Sequence, residues 1–133
     1  MADIVIDTHV AIWYFADSTQ LSKPAETAID NADANGIIFV SAIIIIELIY
    51  LIEKGKIPQD VLNLLRDSLD DLTTALRLID ISREIGDKVE NITRLTVPDM
   101  PDRIIAATAL HLNLPLITKD IKIQALQNIQ TLW

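Results

Sequence analysis

Short apolar runs alternate along this chain with longer segments in which apolar residues recur at helical spacing. Asp3–Ile6 (D-I-V-I) is the first run, stopped by Asp7-Thr8, and a helical turn carrying Val10, Ala11, Trp13 and Tyr14 follows it. Ser22-Lys23-Pro24 opens a second helix, because serine caps and proline is tolerated in a first turn; it runs to about Ala34 and stops at Asn35-Gly36. Ile37–Val40 has the β-branched composition of a strand buried on both faces. Pro58 begins a long amphipathic helix, with Val61, Leu64, Leu65, Leu69 and Leu72 on one face. Leu78–Ile81 is a third strand, and Ser82 caps a helix to about Arg94 in which Ile85, Val89 and Ile92 share a face. The loop Thr96–Pro101 leads into an alanine-rich helix, Asp102–Leu112, broken by Asn113-Leu114-Pro115. A strand at Leu116–Thr118, a short helix over about Ile121–Gln127 and a last strand at Ile129–Leu132 complete the pattern.

One residue interrupts this pattern in an informative way. From Ile37 to Ile52 nearly every position is apolar, and Ser41 and Glu47 are the strongly polar exceptions. Ser41 caps a helix from about Ala42 to Lys54, with Gly55 as its stop. That helix is apolar nearly all round, so it belongs in a core or under a partner. Ile45, Leu48, Ile49 and Ile52, with the early helix that carries Trp13, are the expected contact surface. Burying an unpaired carboxylate costs on the order of 5 kcal/mol or more. Glu47 therefore requires a cation, a metal or an opening to water.

Strands that alternate with helices imply a parallel sheet covered on both faces, a three-layer α/β/α domain with about four to five short strands. Such sheets bind ligands beyond the carboxyl ends of their strands. Asp7 follows the first strand and Asp120 the fourth; Asp102 starts the helix leading into the fourth, and Glu47 lies about two turns into the helix after the second. Four acids from four segments thus converge on one edge. No basic residue is placed to neutralise all of them, so oxygen-coordinated Mg²⁺ or Mn²⁺ is the natural counter-ion. Each acid also has a plainer role. Asp7 can form a strand-end turn, Asp99 and Asp102 a weak capping box, and Asp120 can favour a helix dipole. His9 and His111 are weaker candidates, His111 lying late in a helix that faces the opposite end.

Composition narrows the setting. The 133 residues suit one domain, 1–133, and the absence of cysteine excludes disulfides, thiolate zinc sites and a cysteine nucleophile. With no secretory leader pattern, and an apolar run of about 16 residues where roughly 20 are needed to span a bilayer, a soluble cytoplasmic protein with no membrane contact is expected. The net charge of −8 argues against broad electrostatic affinity for nucleic acid. It does not exclude a nucleic-acid substrate, since a metal-holding acid cluster inflates formal charge at the very place where phosphate binds.

The segments I-V-I-D-T-H-V-A-I-W, S-A-I-I-I-I-E-L, P-D-M-P-D-R-I-I-A-A-T-A and L-P-L-I-T-K-D occur in this order. Together they resemble a PIN-domain ribonuclease, in particular a VapC-like toxin of a type II toxin–antitoxin pair, over essentially the full length. The resemblance implies a PIN-like fold and metal-dependent RNA cleavage, with Asp7, Glu47, Asp102 and Asp120 as catalytic metal ligands and Asp99 as an auxiliary acid. It further implies a homodimer and an antitoxin partner. Thr8 is a candidate for orienting Asp7 or a water; Arg103 and Lys119, next to two of the acids in sequence, are candidates for phosphate contact. A haloacid-dehalogenase-type phosphotransfer domain wants a second aspartate two residues after the first, where this chain has His9. A receiver-type domain could use Asp80 but lacks the acid pair at the first strand. A non-catalytic module that binds partners through its apolar helices is the remaining alternative.

Overall fold

Strand β1 (Ile4–Ile6) is buried along its whole length, so its β-branched side chains meet apolar neighbours on both faces of the sheet. It is the middle strand of a computed structural model that describes residues 2–133. β2 (Ile38–Ser41) and β4 (Leu116–Ile117) flank it, β3 (Leu76–Ile79) lies beyond β2, and β5 (Thr131–Leu132) lies beyond β4, every pairing being parallel. Parallel neighbours require crossovers, and helices supply them: α1 (Thr8–Ala16), α2 (Lys23–Asn35), α3 (Ala42–Glu53), α4 (Gln59–Asp70), α5 (Arg83–Lys88), α6 (Met100–Leu112) and α7 (Ile121–Gln124). The three-layer α/β/α architecture is the one the alternation implies, with five strands. The chain winds outward from β1 through β2 to β3, then returns to place β4 on the other side of β1. Winding reverses between β1 and β4, which opens a crevice at their carboxyl ends.

Local chemistry fixes the element boundaries. The hydroxyls of Ser22, Ser41 and Ser82 accept from the backbone N–H groups of Ala25, Ile43 and Ile85, capping α2, α3 and α5 as their sequence positions suggest. Gly55, at φ +70°, turns the chain after α3, and Asn113 closes α6 in the left-handed region at φ 54°. At Gly36 a Cβ would fall 2.8 Å from Asp3 Oδ1, the atom that accepts from Ile37 N–H at 2.9 Å just before β2. The glycine lets the two strand starts approach each other.

Apolar burial then holds the layers together. α1 and α3 each pack on α4, α3 meets α6, and α5 packs on α6. Leu65 and Ile44 are fully buried, and truncating either to alanine would cost about 2–5 kcal/mol. No helix among the described residues is long and apolar enough to cross a membrane.

Several expectations shift. β3 begins at Leu76 rather than Leu78, since its register with β2 runs from Ile38↔Leu76 to Ser41↔Ile79. It is an edge strand, and Leu78 and Ile81 are exposed, so its apolar run does not mark a buried face. On α4 the inward stripe takes Leu62 in place of Leu64, while Leu72 lies past the helix end and is exposed. α5 stops at Lys88 and gives way to a 3-10 turn at Val89–Asn91, instead of running to Arg94. α6 begins two residues early at Met100, and α7 ends at Gln124. The α3 surface also differs: Leu48 is wholly in the core, Ile45, Ile49 and Ile52 pack against it, and Ile46 and Tyr50 are the exposed pair.

Candidate active site

At the crevice between β1 and β4 lies a cleft of about 660 Å³ into which Asp7, Glu47, Asp99, Asp102 and Asp120 all project as lining residues. Each arrives by a different route. Asp7 ends β1 and N-caps α1, accepting from Val10 N–H at 3.0 Å. Asp120 follows β4 and N-caps α7, with Oδ1 2.8 Å from Lys122 N. Asp99 N-caps α6 by accepting from Asp102 N–H at 3.3 Å, and Asp102 lies in that helix's first turn. Glu47, on α3, accepts a short hydrogen bond from the Thr8 hydroxyl. The capping role and the cleft role therefore coincide at Asp7, Asp99 and Asp120. Helix N-termini favour negative charge and rigidly orient the carboxylates that cap them.

Electrostatics set this cleft apart from an ordinary acidic surface. Burial raises the Asp7 carboxyl above its usual range, against the lowering effect of hydrogen bonds from the Thr118 hydroxyl and the Val10 N–H. Burial likewise raises Glu47; the Thr8 hydroxyl opposes this, and the charges of Asp99 and Asp7 add to it. Asp102 is pushed up to about 7, first by burial and then by the charges of Asp99, Asp120 and Glu47. Among the described residues the ion pairs are Lys23–Glu26 and Arg83–Asp87, both on the surface away from the cleft. The five acids thus have no protein cation paired to them. Lys119 lines the cleft but remains exposed.

An all-oxygen donor set with excess negative charge suits a hard divalent cation such as Mg²⁺ or Mn²⁺. Among the described residues no three acid or histidine side chains are already drawn together as a chelate. The donor chemistry fits such an ion, and the demand that Glu47 makes on its surroundings is met by Thr8 and by the opening of the cleft to water.

The remaining candidates divide. Thr8 is buried and bonds Glu47, so it orients that acid rather than Asp7. Arg103 is not brought into the cleft: its Nε donates to the Ile92 carbonyl and an Nη to the Val89 carbonyl, both at 3.0 Å. These bonds satisfy carbonyls at the ends of α5 and its 3-10 turn. His9 lines the cleft, whereas His111 is exposed at the far end of α6. Thr118 and Trp13 were not singled out for this site by sequence. Thr118 is fully buried and supports Asp7 because Ile6 pairs with Ile117, a register that requires knowing that β1 and β4 are neighbours. Trp13 lies one helical turn beyond His9, and that spacing was the available signal.

Comparisons with known proteins bear on the same region. A family model described as PIN domain matches residues 4–128. The chain is 30% identical over 125 residues to ribonuclease VapC22 of Mycobacterium tuberculosis, covering 94% of this chain and 92% of that one. VapBC2 from Rickettsia felis, solved bound to a DNA fragment from its promoter, superposes with a TM-score of 0.72 at 20% identity, covering 97% of this chain and 96% of the other. A toxin–antitoxin complex from Klebsiella pneumoniae gives a TM-score of 0.62 at 22% identity, covering 96% and 98%. At these identities the structural likenesses speak for the fold.

Proposed function

The chain belongs to the PIN-domain family, and from that premise we propose that it is a metal-dependent ribonuclease, the toxin of a toxin–antitoxin pair. The observation that carries this reading is the group of five carboxylates at the β1/β4 crevice with no protein cation to balance them. Asp7, Glu47, Asp102 and Asp120 are the residues that would hold Mg²⁺ or Mn²⁺, with Asp99 as auxiliary. A divalent cation bound among such groups acidifies water and offsets charge developing on phosphoryl oxygens. Thr8 holds Glu47 in place by donating to it, and the buried Thr118 hydroxyl lowers the Asp7 carboxyl against the effect of burial. Burial and the charges of Asp99, Asp120 and Glu47 raise Asp102 to about 7.

The partners follow from the same reading. RNA is the substrate, as the name of the mycobacterial relative suggests. A cognate antitoxin is the protein partner, in line with the Klebsiella complex, and the toxin acts in the cytoplasm as a homodimer. Ile46 and Tyr50, exposed one turn apart on α3, offer apolar area for one of these contacts. The test is cleavage of RNA by purified protein with Mg²⁺ or Mn²⁺ and with EDTA. Wild type should cut only with the metal, and Asp7→Asn should not cut while keeping its circular-dichroism spectrum. Cutting unchanged in Asp7→Asn would remove the acid cluster from the chemistry.

A further inference from the structure

Trp13 is the aromatic residue among those lining the acid cleft, and it is half-buried there. His9 meets its ring at 5.7 Å between centroids and 46°, and Trp133 at 5.8 Å and 51°, so neither lies flat against the indole. The Lys119 ammonium stands 5.8 Å from the ring centroid, within cation–π reach. One wall of an otherwise anionic cleft therefore carries a π surface with the ammonium of the cleft's exposed lysine over it, a flexible side chain that a stacked base would displace towards the nucleic-acid backbone. A chain of net charge −8 gains little RNA affinity from its general field. Stacking on an aromatic ring needs no favourable charge and accepts any base. A base can reach such a ring only when it is unpaired and splayed from its neighbours.

We propose that Trp13 is the stacking platform for one unpaired nucleobase of a single-stranded RNA, with Lys119 contacting a phosphate beside it. This rests on the ribonuclease reading and narrows its substrate to RNA with an exposed base next to the cut phosphate. Lys119 is the cation placed to meet the backbone there, since Arg103 is committed to backbone carbonyls.

The indole itself reports on the proposal. The chain has two tryptophans, so Trp133→Phe leaves Trp13 as the sole emitter. In that background, with Asp7→Asn to prevent cutting, a random-sequence single-stranded RNA pool should quench the emission in Mg²⁺. An abasic ribose-phosphate oligomer of the same length should neither quench nor compete well. Trp13→Leu, which keeps apolar bulk without a ring, should weaken binding of the base-bearing pool by about tenfold or more and leave the abasic oligomer unchanged. Trp13→Phe should stay near wild-type affinity, which guards against a folding defect in the leucine variant. Equal weakening for both oligomers would overturn the platform, as would an indole unmoved by RNA, including one that responds only to a protein partner. Cleavage by the wild type together with base-independent binding would defeat the platform alone. Base-dependent quenching without any wild-type cleavage would support the platform and defeat the ribonuclease reading instead.

Discussion

Replacing Asp102 by asparagine removes a charge that burial and three neighbouring acids oppose, while keeping the side chain's size. The Asp102 carboxyl is raised from 3.8 to about 7 by burial and by Asp99, Asp120 and Glu47. About three pH units at ~1.36 kcal/mol each set an upper limit near 4 kcal/mol. The group is partly open to water in the cleft, and solvent screening lowers the expected effect to about 1–2 kcal/mol. The sign follows from proton counting. Between about pH 4 and 7 the folded protein keeps a proton that the unfolded chain has released, so metal-free wild type loses stability as pH rises through this window, and the loss is complete above about 7. An opposing term exists, since a negative charge in a first helical turn contributes about 0.3–1 kcal/mol of its own. The repulsion is the larger of the two. In EDTA at pH 8, Asp102→Asn should be the more stable protein by the net of the two, about 1 kcal/mol, with a Tm higher by roughly 2–5 °C for a domain of this size. The curves should converge near pH 4. Mg²⁺ should raise the wild-type Tm and raise the variant's by less. Thermal melts by circular dichroism at three pH values decide it. A variant less stable than wild type at pH 8, by a margin that fades as the pH falls towards 4, would show that Asp102 acts only as a helix-start acid.

Other perturbations address the supporting contacts. Thr8→Val removes the hydroxyl that bonds Glu47 and should weaken Mg²⁺ affinity or activity by about 10–100-fold; an unchanged Mg²⁺ titration of the Tm would dismiss that role. Arg103→Ala should cost about 1–3 kcal/mol in urea unfolding by freeing the Ile92 carbonyl, the Val89 carbonyl keeping the Ile92 N–H. If that variant instead unfolds normally and lowers the salt dependence of RNA binding, Arg103 is a phosphate contact after all. Ile46→Asp should disrupt the proposed homodimer or the proposed antitoxin contact, and light scattering with co-purification shows which; no change in either would clear the exposed face of α3.

Much of this arrangement can be read from residue order, because some signals are local. Ser22, Ser41 and Ser82 cap helices wherever the fold places them. Asp7 and Asp120 follow strands, and a parallel sheet gathers strand ends at one edge, so their convergence needs only the alternation of elements. Glu47 stands out because its chain neighbours are apolar. What could not be read depends on partners distant in sequence. Thr118 supports Asp7 only because β4 pairs with β1. Arg103 sits beside Asp102 in the chain but turns to α5, a direction set by packing rather than spacing. The start of β3 is not legible in the sequence, because an edge strand leaves apolar residues exposed and hydrophobicity no longer marks the buried face.

The chemistry of the cut ends tests the central claim most directly. Water activated at a cluster of metal-holding acids hydrolyses a phosphodiester without help from the ribose 2′-hydroxyl. Cleavage of a labelled single-stranded RNA should therefore require Mg²⁺ or Mn²⁺ and yield phosphate monoester ends with no 2′,3′-cyclic phosphate, as read by mass spectrometry. Cutting that persists in EDTA and leaves cyclic phosphate would mean that the 2′-hydroxyl is the nucleophile, with His9 a titratable non-acid group in the same cleft, and would contradict the metal-site account.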